Sequence, residues 1–228
     1  GSKAYEDAAA AFEALGDYED SEERVLQLRY TAAVGLAESG ETDAAIAAFA
    51  ALGDYSDSAE RANALRYQEA AALALADPEE AIVAFAALGD YSDSAERANE
   101  LRYQRAAELA LTDPAAGIAA FEALGDYSDS ADRAASLRYD AAVALSVTDP
   151  AAGAAAFEAL GDYSDSADKV YQVRYEAAAK MVARQEWDAA VALYTELGDY
   201  ADRVAAYTQG TGQLQVTLHG YRPCHNAA

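Results

Sequence analysis

Apolar residues recur at helical spacing along most of the chain. Between residues 92 and 112, Ala98, Leu101, Ala106 and Leu109 fall near one stripe, and Tyr103 and Ala110 widen it. A wide apolar face suits a helix packed between neighbours on two sides. No Gly or Pro interrupts the stretch, so the pattern predicts a long helix over Ser92–Thr112, about 30 Å at ~1.5 Å per residue. Asp113-Pro114 follows. Asp is a good N-cap, and Pro fits the first helical position because its missing N–H would be unpaired there anyway. A short helix is therefore predicted over Pro114–Leu124, with Ile118, Phe121 and Leu124 toward one side. Gly125 is placed just past its end, where left-handed backbone costs no Cβ clash.

The same pair of elements repeats. Leu-Gly-Asp-Tyr occurs six times, with its glycines at Gly16, Gly53, Gly89, Gly125, Gly161 and Gly198, spaced 37, 36, 36, 36 and 37 residues apart. Four residues before each Gly stands an aromatic: Phe12, Phe49, Phe85, Phe121, Phe157 and Tyr194. A second block places Arg29, Arg66, Arg102, Arg138 and Arg174 in Leu-Arg-Tyr or Val-Arg-Tyr, thirteen residues after the Gly. Three long-to-short turns read Asp-Pro (Asp77-Pro78, Asp113-Pro114, Asp149-Pro150). The two one-residue-longer units read "ESGETD" (38–43) and "ARQEWD" (183–188) instead, so the extra residue is expected in the turn. Insertions confined to turns are what stacked helical repeats tolerate. The fold class predicted is all-α: a right-handed α-solenoid of antiparallel helix pairs with 36–37-residue repeats, long helix then short, and a short non-helical C-terminal tail.

The expected layout is residues 1–3 as a start ending a cleaved-tag scar (Gly1-Ser2), 4–209 as about five and a half repeats, and 210–228 as a tail. Leu214, Val216 and Leu218 alternate in that tail, which suggests a short strand. His219, Cys224 and His225 are too loose a set to read as a metal site.

The "AFAALGDYSDSAERA" stretch occurs unchanged at 48–62 and 84–98. It reads as a structural joint rather than a copied chemical site. Its members are Gly53, Asp54, Tyr55, Asp57 and Arg66; Gly89, Asp90, Tyr91, Asp93 and Arg102; and Gly125, Asp126, Tyr127, Asp129 and Arg138. Asp54 or Ser56 is expected to cap the next helix, and Tyr55 to plug the space between hairpins. Asp precedes a base by four residues at Asp20–Arg24, Asp57–Arg61, Asp93–Arg97, Asp129–Arg133 and Asp165–Lys169, the favourable order on a helix. The repeat arginines are expected to pair with the Gly-Asp-Tyr aspartate of a neighbouring loop. Asp54, Ser56, Asp57 and Ser58 offer hard oxygens, but the EF-hand order is absent, and neither metal nor cofactor is expected.

Composition narrows the function. Forty acids stand against 16 bases, a formal net charge of −24. That opposes binding to nucleic acid and to anionic membrane surfaces. No charge-free run of about 20 apolar residues offers a membrane span. A protein or peptide partner, including a basic one, is permitted. Both histidines lie in the tail, so the repeats lack the commonest general base, and acid pairs recur in every unit where an active site needs one distinctive place. No enzyme is expected. The lone Cys224 fits a reducing compartment such as a bacterial cytoplasm.

The segment "YQEAAALALADPEEAIVAFAAL" (67–88) resembles the helix pair of tetratricopeptide repeats, with Tyr67 and Ala71 in first-helix places and Ala81 and Phe85 in second-helix places. The likeness covers residues 4–209. The period is 36–37 rather than 34, and a Gly-Asp-Tyr-x-Asp-Ser joint replaces the usual terminal Pro turn, a variant similar to one in bacterial tetratricopeptide-like proteins. The resemblance implies a right-handed superhelix that binds peptides or proteins on the surface lined by the first helices. Positions that vary between units there are the candidate partner-binding residues: Gln68, Glu69, Gln104, Arg105, Asp140, Glu176 and Lys180. The alternative is a structural spacer or self-assembling rod without a specific ligand.

Overall fold

The computed structural model describes residues 2–16 and 18–198. The predicted tail and its strand lie outside the described residues. The chain divides into two compact units, residues 1–130 and 131–228, and each is a repeated array of helical hairpins.

In the first unit, α1 (Ser2–Glu13) precedes three long–short pairs: α2 (Ser21–Ser39) with α3 (Thr42–Ala51), α4 (Ser58–Ala76) with α5 (Pro78–Ala87), and α6 (Ser94–Thr112) with α7 (Pro114–Ala123). Consecutive helices pack on one another. In the second unit, α8 (Ser130–Thr148) and α9 (Pro150–Leu160) are followed by α10 (Ser166–Ala183) and α11 (Trp187–Leu197). No strand occurs among the described residues. No described helix is long and apolar enough to cross a membrane.

The long-to-short turns follow the predicted logic. Asp77, Asp113 and Asp149 each accept a hydrogen bond from the backbone N–H three residues on, that of Glu80, Ala116 or Ala152, at 3.0–3.1 Å. Each is followed by Pro at the first helical position, where its fixed φ suits the helix. The longer units place their extra residue in this turn. Gly40 (φ 82, ψ 14) ends α2 in a left-handed conformation, and Gln185 (φ 65) lies between α10 and α11.

The short-to-long joint differs from expectation. The long helices start at Ser58, Ser94, Ser130 and Ser166, two residues later than the pattern suggested at Ser92, and α7 ends one residue earlier. Those two residues are used by paired tight turns. The Tyr163 N–H donates to the Leu160 carbonyl at 3.2 Å, and the Ser166 N–H to the Tyr163 carbonyl at 3.1 Å. Gly161 sits at φ 58, ψ −123, the first central position of a type II′ turn rather than the left-handed helical region expected, and far more exclusive to glycine. In the second turn Ser164 takes φ 53 and Asp165 takes φ −102, ψ 23. Ser56, Ser92 and Ser128 share that positive φ.

The core is small residues around one aromatic per hairpin. Phe49 packs with Ala33, Ala45, Leu52 and Ala62; Phe85 with Ala70, Ala81 and Ala98; and, in the second unit, Phe157 with Ala142, Ala154, Val170 and Val173. Each of these phenylalanines is 1% exposed. Burying one contributes about 1.5–3 kcal/mol, and the surrounding alanines let helix backbones approach closely enough to enclose it.

Candidate functional site

The joint is built by a residue that the sequence places only on the apolar face of the long helix. The tyrosine of Leu-Arg-Tyr, beside the noted arginine, reaches from one long helix to the start of the next. Tyr30 on α2 donates its hydroxyl to Asp57 Oδ1 at 2.5 Å, just before α4. Tyr67 does the same to Asp93, Tyr103 to Asp129 and, in the second unit, Tyr139 to Asp165. The ring of each lies edge-on or tilted against two others. Tyr67 is 5.4 Å from Phe85 and 6.2 Å from Tyr91; Tyr139 is 5.3 Å from Phe157 and 6.3 Å from Tyr163. Such pairs are worth about 0.5–1.5 kcal/mol beyond their area burial. One side chain thus ties its own helix, the short helix and the next long helix together. The expected plug, Tyr55, is half-buried and is one of the three rings.

This geometry revises the capping scheme. Asp57 and Asp93 hold the N-cap positions, but their side chains make no cap hydrogen bond. They accept instead from the tyrosine hydroxyl and from Arg61 or Arg97, whose ion pairs measure 2.9 and 3.2 Å. Asp54 and Ser56 lie exposed in the turn. Hydrogen bonding from the tyrosine hydroxyl, with the guanidinium adding to it, holds Asp57 and Asp93 below the usual carboxylate range. The mirror effect raises Tyr30 and Tyr67, and pushes Tyr139 up to about 12, chiefly through its bond to Asp165. The Asp20–Arg24 pair also forms, at 3.0 Å. Lys169 departs from the expected pairing: it donates to Gln172 at 3.0 Å rather than to Asp165.

The repeat arginines do not meet the Gly-Asp-Tyr aspartates. Arg66 and Arg102 donate to Asn63 and Asn99 one turn back on their own helices, at 3.0 and 2.9 Å. Arg29 reaches Glu13 at 2.8 Å and Arg174 reaches Glu158 at 2.6 Å, each on the preceding short helix. The aspartates face solvent: Asp54, Asp90 and Asp126 are exposed, as is Arg138. Gly53, Gly89 and Gly125 occupy the positive-φ turn (φ 56–57). Asp129 lies just before α8.

Of the candidate partner-binding residues, Gln68, Gln104, Asp140, Glu176 and Lys180 are exposed on the long helices. The other two have neighbours across a hairpin boundary. Arg105 on α6 pairs with Glu79 on α5 at 2.8 Å. One repeat earlier, Glu69 on α4 meets Asp43 on α3, and burial, with the like charge of Asp43 second, raises its pKa. Equivalent positions thus hold an ion pair in one place and two acids in the other.

A groove of about 520 Å³ in the second unit lies against the α8–α9 turn, α10 and α11. A groove of about 240 Å³ lies at the equivalent place around Pro78 and Arg105 in the first. Among the described residues, no three His, Cys, Asp or Glu side chains converge as metal ligands. Comparison of the chain with protein-family models, curated proteins and solved structures finds no match.

Proposed function

We propose that the chain is a non-catalytic, tetratricopeptide-like repeat scaffold that engages a protein or peptide through the surface lined by its long helices. The observation that carries this reading is where the repeats vary. Buried positions are held: Ala62, Ala98 and Ala134, or Ala70, Ala106 and Ala142, are each nearly solvent-free. Solvent-facing positions on the same helices change: Gln68, Gln104, Asp140 and Glu176 are one equivalent set, and Ala72, Glu108, Ala144 and Lys180 another. A fold that only had to stack would have no reason to concentrate change on one face beyond solubility; a reader of peptides would.

The test is a peptide array probed with the chain. One recurrent peptide class should be captured, and capture should be lost when Gln68, Gln104 and Asp140 are exchanged for lysine with the melting temperature unchanged. A second reading, a spacer or self-assembling rod, draws on the unchanged fifteen residues at 48–62 and 84–98, since identical units discriminate poorly between ligands. End-to-end oligomers in solution scattering, together with no captured peptide class, would favour it.

A further inference from the structure

We propose that the groove against α10 in the second unit receives an acidic peptide segment, seating one apolar side chain between its carboxylates. The inference rests on the scaffold reading and assigns its ligand chemistry.

The groove differs from its equivalent two repeats earlier, and its cations differ from every other long helix. In the first unit the equivalent place is filled by charge: Arg105 bridges Glu79 at 2.8 Å and Glu108 at 3.4 Å. In the second unit the positions of Glu79 and Arg105 are taken by Ala151 and Ala177, and the groove more than doubles, from about 240 to about 520 Å³. The position of Glu108 becomes Lys180, and that of Thr112 becomes Arg184. Spaced four apart, these two residues share a helix face, with Cβ atoms about 5–6 Å from each other. Both are exposed, and neither side chain has a hydrogen-bond or ion-pair partner among the described residues. Arg174 also lines the groove but is held by Glu158 at 2.6 Å.

Met181, Leu193, Pro150 and Val147, the last 75% exposed, add apolar surface to the lining. Two carboxylates face the same space. Asp149 is occupied in capping α9 through the Ala152 N–H, and Glu196 stands on the α11 side. With Arg174 held by Glu158, Lys180 and Arg184 match these two carboxylates in number, a local balance that a chain with 16 bases and 40 acids lacks as a whole. Cations at a helix C-terminus also favour the helix dipole, yet α2, α4, α6 and α8 carry no base in their last turn, so the helix does not require them. Repulsion from the rest of the chain is screened beyond about 8 Å at physiological salt, which leaves the local contacts to decide. A basic segment would meet Lys180 and Arg184 unfavourably.

The test uses fluorescence anisotropy on the full chain with three rhodamine-labelled probes: Glu-Glu-Leu-Phe-Glu-Glu, its Gln counterpart and its Lys counterpart. The variant is Lys180→Glu with Arg184→Thr, which copies what α6 already carries at those positions and so keeps the hairpin's own sequence logic. The Glu probe should bind the wild type about tenfold or more tighter than the Gln probe, and lose about that factor in the variant, each tenfold being about 1.4 kcal/mol. Equal binding of the Glu and Gln probes, or an unaffected variant, overturns the proposal. If the Lys probe binds instead and ignores the substitutions, the acidic groove is wrong and the scaffold reading stands. If the peptide array described above also captures nothing, both fall.

Discussion

Replacing Gly117 by alanine should destabilise the chain, although glycine is a poor helix residue. Gly117 lies on α7 against α6, and it is buried. A Cβ built there would stand 2.5 Å from Ala110 Cα, 2.7 Å from its backbone nitrogen and 2.8 Å from its Cβ. These are mainly backbone atoms, so no rotamer change relieves the overlap; the helix itself must move. Carbon atoms sit about 3.5–4.0 Å apart at their optimum, so the retreat is on the order of 1 Å. Phe121, on the same helix and 1% exposed, would lose part of its seat against Tyr103, now 5.3 Å away between ring centres. Two terms compete. Glycine to alanine within a helix gains about 0.5–1 kcal/mol, and overpacking costs about 1–3 kcal/mol. The expected balance is a loss of about 1 kcal/mol, or about 2–4 °C in Tm for a chain of this size. The hairpin one repeat earlier supplies the control. There Ala81, 0% exposed, stands where Gly117 does, and Ala81→Gly should also destabilise, by lost propensity and a lost buried methyl. Thermal unfolding followed by helical circular dichroism reads both variants. A Gly117→Ala protein melting at or above the wild-type temperature would refute the close approach, and helix propensity alone would then govern the site.

Three further outcomes follow from the joint and its neighbours. Glu69→Arg should raise Tm, because it turns the Glu69–Asp43 acid pair into the arrangement that Arg105 and Glu79 already make; exposed pairs are worth about 0.2–1 kcal/mol, and a lowered Tm would contradict the register. Ser94 is 0% exposed and its hydroxyl has no hydrogen-bond partner, so Ser94→Ala should be neutral or stabilising by about 1 kcal/mol, since an unsatisfied buried polar group costs about 1–3 kcal/mol; a clear loss in urea denaturation would show that the hydroxyl is satisfied. Tyr139, raised to about 12 in the folded chain, contributes stability that is complete below its unfolded value near 10. That contribution should disappear as pH climbs from about 10 to about 12, and a Tyr139→Phe variant should show a shallower alkaline decline; identical profiles would exclude the Asp165 bond as its source.

The hairpins were legible because their signals are local. A Pro after Asp, a Gly after an aromatic helix and a 3.6-residue apolar stripe each act within a few positions. The Tyr67–Asp93 bond joins residues 26 apart across a helix boundary, and no spacing rule links a tyrosine to an aspartate in the next repeat. The more conspicuous Arg66 beside it meets only Asn63, one turn away. The glycine marks a turn, but the serine three residues later, at φ 53 in Ser56, Ser92, Ser128 and Ser164, carries no compositional warning. Serine is ordinary in loops. That pair of turns delays the helix start by two residues and leaves Asp57, rather than Asp54 or Ser56, at the N-cap with its side chain on the tyrosine. The candidate surface was legible only as variation. Arg105 and Glu69 look alike as variable, charged, solvent-side residues; the hairpin register alone reveals that one is neutralised by Glu79 and the other crowded by Asp43.

Repetition of the joint has a consequence for where any recognition can reside. A ligand that read the Tyr–Asp–aromatic joint would find it at Tyr30, Tyr67, Tyr103 and Tyr139 alike, and would bind in several places with no preference. Selectivity therefore has to come from positions where one hairpin differs from the others, and the difference must be large enough to matter. Swapping Gln for Gln between Gln68 and Gln104 changes nothing. Replacing a bridging Arg105–Glu79 pair by Ala177 and Ala151, and Glu108 by Lys180, changes both the volume and the charge of one groove. In a chain whose buried face is held nearly constant, that is the change a ligand could distinguish.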